Sequence, residues 1–167
     1  RFSYIAPTYR QAKAVAWDYL KQFAGAIPMV RFHETELRCD LPNGARIQLL
    51  GAENPDSLRG IYQDGTCLDE MADMPESLFP EIIRPALSDR KGWALFIGTP
   101  RGHNAFYELY DAAERQDEWH TALYKASETG ILDDEELEAA SSMMSPDQYA
   151  QEYECSWVAN VPGAVYG

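Results

Sequence analysis

The sequence predicts an α/β protein in which a mostly parallel, doubly wound sheet is flanked by helices and carries an inserted β-hairpin. Three observations predict it. Strand-length and helix-length apolar patterns alternate along the chain, the signature of strand–helix–strand units. Trp93-Ala94-Leu95-Phe96-Ile97 is continuously apolar, which predicts a strand covered on both faces, as in a parallel sheet. Three strand ends, Pro7-Thr8, Asp69-Glu70 and Thr99-Pro100, carry polar groups. Open α/β sheets keep their chemistry outside the carboxyl ends of their strands.

The elements follow in order. Residues 3–7 read as a strand. Thr8 is placed to cap a helix, with Gln11 completing a capping box. Ala12, Ala16, Tyr19, Leu20 and Phe23 recur at helical spacing and predict one apolar face on a helix from about Tyr9 to Ala24, ended by Gly25 and Pro28. Leu37, Cys39 and Leu41 alternate with polar residues, as do Ile47 and Leu49. Asn43-Gly44 between them predicts a type I′ hairpin turn. Residues 51–60 are a polar loop containing Asn54-Pro55-Asp56 and ending in Ser57-Leu58-Arg59-Gly60. Gly65-Thr66-Cys67-Leu68 is a short strand leading into Asp69-Glu70. Pro75 and Pro80 then punctuate a helical stretch reaching about Leu87.

Beyond the strand at 93–97, Phe106, Leu109, Tyr110 and Ala113 make the next helix face, and residues 119–124 are expected to form another strand. Asp133 with Glu136, and Ser145-Pro146 with Gln148, are two more helix starts. The acidic run from Asp133 to Glu138 reads as a solvated helix face. Pro162 to Gly167 reads as a linker.

Composition bounds the function. The 167 residues are 46% hydrophobic, enough for one globular domain with a core. No apolar run approaches the roughly 18 residues that would cross a membrane. Cys39, Cys67 and Cys155 are odd in number and widely spaced, which suits reduced thiols rather than a disulfide framework or a zinc site. His33, His103 and His120 are equally scattered and read as surface or packing residues. Net charge is −13, unevenly spread. Residues 1–101 hold twelve Lys/Arg against thirteen Asp/Glu, and residues 102–167 hold two against fourteen. Nucleic-acid affinity rests on cations neutralising phosphates, so DNA contact is expected from the first part or from a segment outside this sequence. The chain starts inside a strand without a Met, and is expected to be a piece of something longer.

Asp69-Glu70 is the stretch with the sharpest chemistry. The first acid at such a strand end can hold Mg²⁺, directly or through a water. The second can orient and deprotonate a water that attacks a phosphate. The competing reading is a solvated strand end.

The succession Ala6-Pro7-Thr8-Tyr9-Arg10-Gln11-Ala12, Ser57-Leu58-Arg59-Gly60, Leu68-Asp69-Glu70 and Ile97-Gly98-Thr99-Pro100-Arg101-Gly102 resembles the large terminase subunit of tailed bacteriophages. The resemblance is to its N-terminal packaging ATPase domain, covers nearly the whole chain, and extends to Arg84-Pro85-Ala86-Leu87-Ser88-Asp89-Arg90 and Glu152-Tyr153-Glu154-Cys155-Ser156. It implies a P-loop NTPase-like fold of the ASCE type at residues 1–160, with 161–167 starting a linker to a nuclease domain.

The resemblance also implies ATP and Mg²⁺ as cofactors. Asp69 would be the metal acid, Glu70 the catalytic base, and Thr99 a coupling residue that senses nucleotide. Arg59 would act in trans on a neighbouring subunit's nucleotide, the alternative being a surface salt bridge. Thr8 and Arg10 would touch a DNA backbone, the alternative being the helix cap alone. The implied partners are double-stranded DNA, a portal protein, a small terminase subunit and further copies in a ring, in the cytoplasm of a bacterial host.

One departure matters. Gly-x-x-x-x-Gly-Lys-Ser/Thr, the phosphate-cradling loop, does not occur, and the only Lys–Gly neighbours are Lys91-Gly92. The family places that loop upstream, so this chain is expected to carry half of an ATP site and little activity alone. Three other readings remain: a helicase-like DNA-dependent ATPase, a degenerate prophage remnant acting as an interaction module, and a nuclease using Asp69, Glu70 and Asp73.

Overall fold

A computed structural model describes residues 1–158, and the expected linker at 161–167 lies outside them. The chain divides into two compact units, the first from Arg1 to Gly98 and the second beginning at Thr99.

The first unit holds the sheet. Its strands are β1 (Phe2–Ala6), β2 (Arg31–His33), β3 (Arg38–Asp40), β4 (Arg46–Gly51), β5 (Gly65–Leu68) and β6 (Trp93–Phe96), in the order β2-β3-β4-β1-β5-β6. β4, β1, β5 and β6 are mutually parallel, whereas β2–β3 and β3–β4 are antiparallel. The mostly parallel sheet is therefore present. The hairpin is built into it, because β4 pairs with β1, Tyr4 opposite Leu49.

The hairpin turn differs from the expected type I′, which needs positive φ at both central residues. Only Gly44 has it, at +82°. Pro42-Asn43-Gly44 forms a three-residue loop instead, with the Gly44 N–H donating to Leu41 O (3.0 Å) and the Leu41 N–H to Ala45 O (2.9 Å). The Asn43 side chain accepts from the Ala45 N–H, which stabilises this longer loop.

The first helix spans residues 9–24 as expected, and its buried face follows the expected residues at Ala12, Ala16 and Leu20 but not at Tyr19 and Phe23. It consists of α1 (Tyr9–Ala12), a π-helical turn (Lys13–Trp17) and α2 (Asp18–Ala24). A π turn inserts one extra residue and shifts every later side chain by one position. After Ala12 the buried residues are Trp17, only 2% exposed, and Ala24, while Ala16 and Leu20 are partly buried against the same core. Tyr19 and Phe23, expected inside, stack on each other outside at 63% and 74% exposure. Trp17 packs with Ala6, Ala12, Leu37 and Leu49, meets Phe32 edge to face at 6.0 Å, and donates its indole N–H to Glu34 at 2.7 Å. We expect Trp17→Ala to cost about 3–5 kcal/mol. Tyr19→Ala and Phe23→Ala should each stay within about 0.5 kcal/mol. Urea unfolding of the three variants checks both values, and a large loss at Phe23 would contradict the shifted face.

Side chains alternate between the two faces of the sheet. Helix 9–24 covers one face over β1 and β4, where Ala6 and Leu49 meet Ala12 and Trp17. The opposite face carries Ile5, Leu68 and Phe96 in register. Phe79 meets Phe96 edge to face at 4.7 Å there. Phe79 lies in a π-helical segment (Leu78–Ile83) that continues into α3 (Arg84–Ser88), and Leu78, Ile82, Ile83 and Leu87 are buried. Helices thus occupy both faces, as in a doubly wound sheet.

β6 does not meet its expectation of cover on both faces. It is an edge strand, and Trp93 and Leu95 are 54% and 50% exposed. Helix 9–24 packs on β1 and β4. The Trp93 indole lies over Gly65, whose missing Cβ would stand 2.3 Å from the ring. A side chain at position 65 would push the indole off the sheet.

The second unit is helical: α4 (Ala105–Ala113), α5 (Ala126–Thr129), α6 (Asp134–Met143) and α7 (Pro146–Glu152). Phe106 and Ala113 are buried on α4, and Trp157 packs against Phe106, Tyr107 and Tyr110. Both expected helix starts are present. Asp133 accepts from the Glu136 N–H, and Ser145 with Gln148 form a full capping box. The acidic face of α6 is exposed. The strand expected at 119–124 is absent. Its exposure does alternate, but no strand pairs with it among the described residues, and alternation without a ladder does not make a strand.

Candidate active site

The four parallel strands end on one rim of the first unit. β1 runs out into Pro7-Thr8, β4 into Ala52-Glu53, and β5 into Asp69-Glu70. Asp69 is still in the ladder, its N–H donating to Ile5 O at 2.9 Å, and Ile97 N–H donates to Leu68 O at 2.9 Å. The backbone on both sides of Asp69 is therefore fixed.

The Asp69 carboxylate is half-buried and held at both oxygens. The Tyr4 phenol on the neighbouring strand donates to Oδ2, and the Glu70 N–H donates to Oδ1 at 3.0 Å. Burial, reinforced by this bond to Asp69, raises the Tyr4 phenol well above its ordinary pKa, so it stays protonated as a donor. Burial also pushes the Cys67 thiol up to about 11, with a smaller contribution from the Asp69 charge.

Glu70 takes up a left-handed conformation, φ 56° and ψ 48°, which costs a non-glycine residue about 1 kcal/mol. The turn is locked by Met71 N–H on Ile97 O (3.0 Å) and Asp73 N–H on Glu70 O (2.9 Å). It breaks the strand immediately after Asp69 and leaves the Glu70 side chain exposed at the rim.

The donor set fits a magnesium ion. Mg²⁺ favours one or two carboxylates together with water and substrate phosphate oxygens over a cage built by protein alone. Asp69 supplies such a carboxylate. Among the described residues no three His, Cys, Asp or Glu side chains gather to hold a metal, so Asp73 does not complete a nuclease-type cluster with Asp69 and Glu70.

Beside Asp69, after β1, Thr8 caps the first helix. Its hydroxyl accepts from Gln11 N–H (3.2 Å) and donates to Gln11 Oε1 (2.8 Å). The reciprocal half of the expected capping box is absent, because the Gln11 carbonyl faces the Thr8 hydroxyl instead of the Thr8 backbone. The Glu53 carboxylate sits on the helix start, taking the Tyr9 N–H with both oxygens at 3.0 Å. Gly51 makes room for it; a Cβ there would stand 1.9 Å from Glu53 Oε2 and 2.2 Å from Tyr9 N. The position where a helix would receive an anion is thus filled from within. Arg10, exposed on the first turn, has no ion-pair partner among the described residues.

Arg59 follows a 3₁₀ turn (Pro55–Leu58) and is half-exposed. It donates to Asp56 at 2.7 Å and reaches Glu81 at 3.5 Å. Thr99, half-buried, opens the second unit. The structure therefore gathers Asp69 and Glu70 with Tyr4 on one rim, sets Thr8 and Arg10 after the adjoining strand, and ties Arg59 to Asp56 and Glu81. Tyr4 and Glu53 are additions that the sequence reading missed. Tyr4 carries no local signal, because its reach to Asp69 depends on the β1–β5 register.

A family model described as terminase large subunit, T4likevirus-type, N-terminal, matches residues 2–167. The terminase large subunit of Thermus virus P23-45 is 34% identical over 125 residues, covering 64% of this chain and 26% of that protein. The large terminase ATPase domain of Thermus phage P74-26 superposes with a TM-score of 0.69 at 28% identity, covering 94% of this chain and 76% of that one. A large terminase from a thermophilic bacteriophage, solved in complex with ATP-gamma-S, has a TM-score of 0.75 at 20% identity, covering 94% of this chain and 39% of that one, and so bears on the fold alone. The chain spans about a quarter of the length of the Thermus virus relative.

Proposed function

This chain belongs to the terminase large subunit family, as part of its N-terminal region, and we propose that the protein containing it is an Mg²⁺-dependent ATPase that drives double-stranded viral DNA into a procapsid. The observation that carries the reading is the rim geometry at Asp69-Glu70. Adjacent acids leave a parallel strand with separate duties, one carboxylate clamped by two donors and the next swung out by a left-handed turn.

In this reading Asp69 holds the metal and Glu70 orients the attacking water and takes its proton. Bound Mg²⁺ neutralises charge on the phosphates. The nucleotide assignment draws support from the 28%-identical large terminase ATPase domain of Thermus phage P74-26. A phosphate-cradling segment pairing in parallel with the open edge of β6 would bring phosphates toward Asp69. Thr99 would couple nucleotide state to movement. Arg10, exposed and without an ion-pair partner among the described residues, is the better DNA-backbone candidate. Thr8 serves mainly as the cap. A portal, a small terminase subunit and neighbouring copies in a ring would complete the motor in the host cytoplasm. Among the described residues no helix is long and apolar enough to cross a membrane.

The test is nuclease protection of double-stranded DNA by the full-length protein with procapsids and Mg²⁺-ATP. Protection that requires both ATP and procapsids is expected. DNA-stimulated hydrolysis with no procapsid-dependent protection would favour a helicase-like ATPase. Failure to bind nucleotide at all would favour the remnant.

A further inference from the structure

We propose that Tyr4 is a positioning residue for the metal site, fixing the orientation of the Asp69 carboxylate from the neighbouring strand. The inference rests on the reading of Asp69 as the magnesium acid. In the β1–β5 register Tyr4 stands opposite Cys67. Asp69 is two residues further along the same face, the diagonal neighbour that a long aromatic side chain can reach. The phenol spans that diagonal and donates to Oδ2.

Its ring is itself held, packed against the core formed by Ala12, Trp17 and Leu49. With Glu70 N–H on Oδ1, each Asp69 oxygen has one fixed donor, so the carboxylate cannot rotate about its own axis. A carboxylate offers about four lone-pair sites. Two are taken, and the other two are left for a metal or its waters, with their direction fixed by the two donors. The acid needs no reorientation when a metal–nucleotide complex arrives. Groups behind a metal ligand commonly set metal affinity by about tenfold or more.

The experiment measures Mn²⁺ binding to the full-length protein by electron paramagnetic resonance in the presence of ATP-gamma-S. It compares the parent, Tyr4→Phe, Asp69→Asn and the double variant. Tyr4→Phe should weaken Mn²⁺ by about tenfold while leaving ATP-gamma-S affinity in EDTA unchanged. In the Asp69→Asn background it should have no further effect.

Unchanged Mn²⁺ affinity in Tyr4→Phe, or an equal loss in both backgrounds, overturns the inference and leaves the metal reading standing. Unchanged affinity in Asp69→Asn overturns both. If Tyr4→Phe fails to fold, fluorotyrosine placed at position 4 keeps the hydroxyl. Its fluorine resonance should move when Mg²⁺ is added with ATP-gamma-S, and a resonance that stays put overturns the inference.

Discussion

Glu70→Gln in the full-length protein is expected to lower ATP turnover by about 10²–10⁴-fold, the range supplied by a positioned general base, and to leave nucleotide and metal binding nearly unchanged. The substitution keeps the size of the side chain and its hydrogen-bonding reach but removes the proton acceptor. Backbone effects should be small. Glutamine meets the same cost at φ 56° as glutamate, and the bonds that lock the turn, Met71 N–H to Ile97 O and Asp73 N–H to Glu70 O, are made by main chain alone. Loss of turnover with retained binding therefore isolates the chemical role. The measurement is steady-state phosphate release beside equilibrium binding of ATP-gamma-S. A variant as active as the parent would return Asp69-Glu70 to the status of a solvated strand end.

The difference between what could and could not be read from the sequence follows the distance over which each feature is determined. Asp69 and Glu70 are adjacent in the chain and follow a strand-length run, so their arrival together at a sheet rim follows from local pattern. The caps at Asp133 and Ser145 depend on residues three apart and were equally legible. The buried face of the first helix was not. Its α-helical periodicity is sound up to Ala12, but one π turn at Lys13–Trp17 moves Trp17 in and Tyr19 and Phe23 out. Nothing in the spacing announces where an extra residue enters a turn. β2 is three residues long and has no periodicity to detect; it exists because β3 offers an edge. The Tyr4–Asp69 bond needs the β1–β5 register, a pairing between residues 65 apart. Burial of Trp93 and Leu95 was overestimated for a related reason. Continuous apolarity records that a strand can be covered on both faces, while actual cover depends on which element packs there.

Arg59→Ala should lower turnover of the assembled protein by about 10³–10⁵-fold, the contribution of an arginine finger, without a measurable change in melting temperature. The two halves of this expectation have separate grounds. The ion pairs with Asp56 and Glu81 are exposed, and pairs of that kind contribute little to stability because solvent screens them and long side chains lose freedom in making them. They can therefore be given up, and they hold the guanidinium on a loop surface where a neighbouring copy can meet it. Arg59→Lys should recover little, because a compact ammonium cannot reproduce the planar fork that neutralises two phosphoryl oxygens at once. Mixing decides whether the arginine acts between subunits. Arg59→Ala protein retains Glu70, and Glu70→Gln protein retains Arg59. A site formed by the base of the first and the arginine of the second is complete, so a mixture of two nearly inactive proteins should regain turnover in a ratio-dependent way. No recovery at any ratio would place Arg59 in its own subunit's site. Full activity of Arg59→Ala alone would reduce it to the surface ion pairs it makes with Asp56 and Glu81.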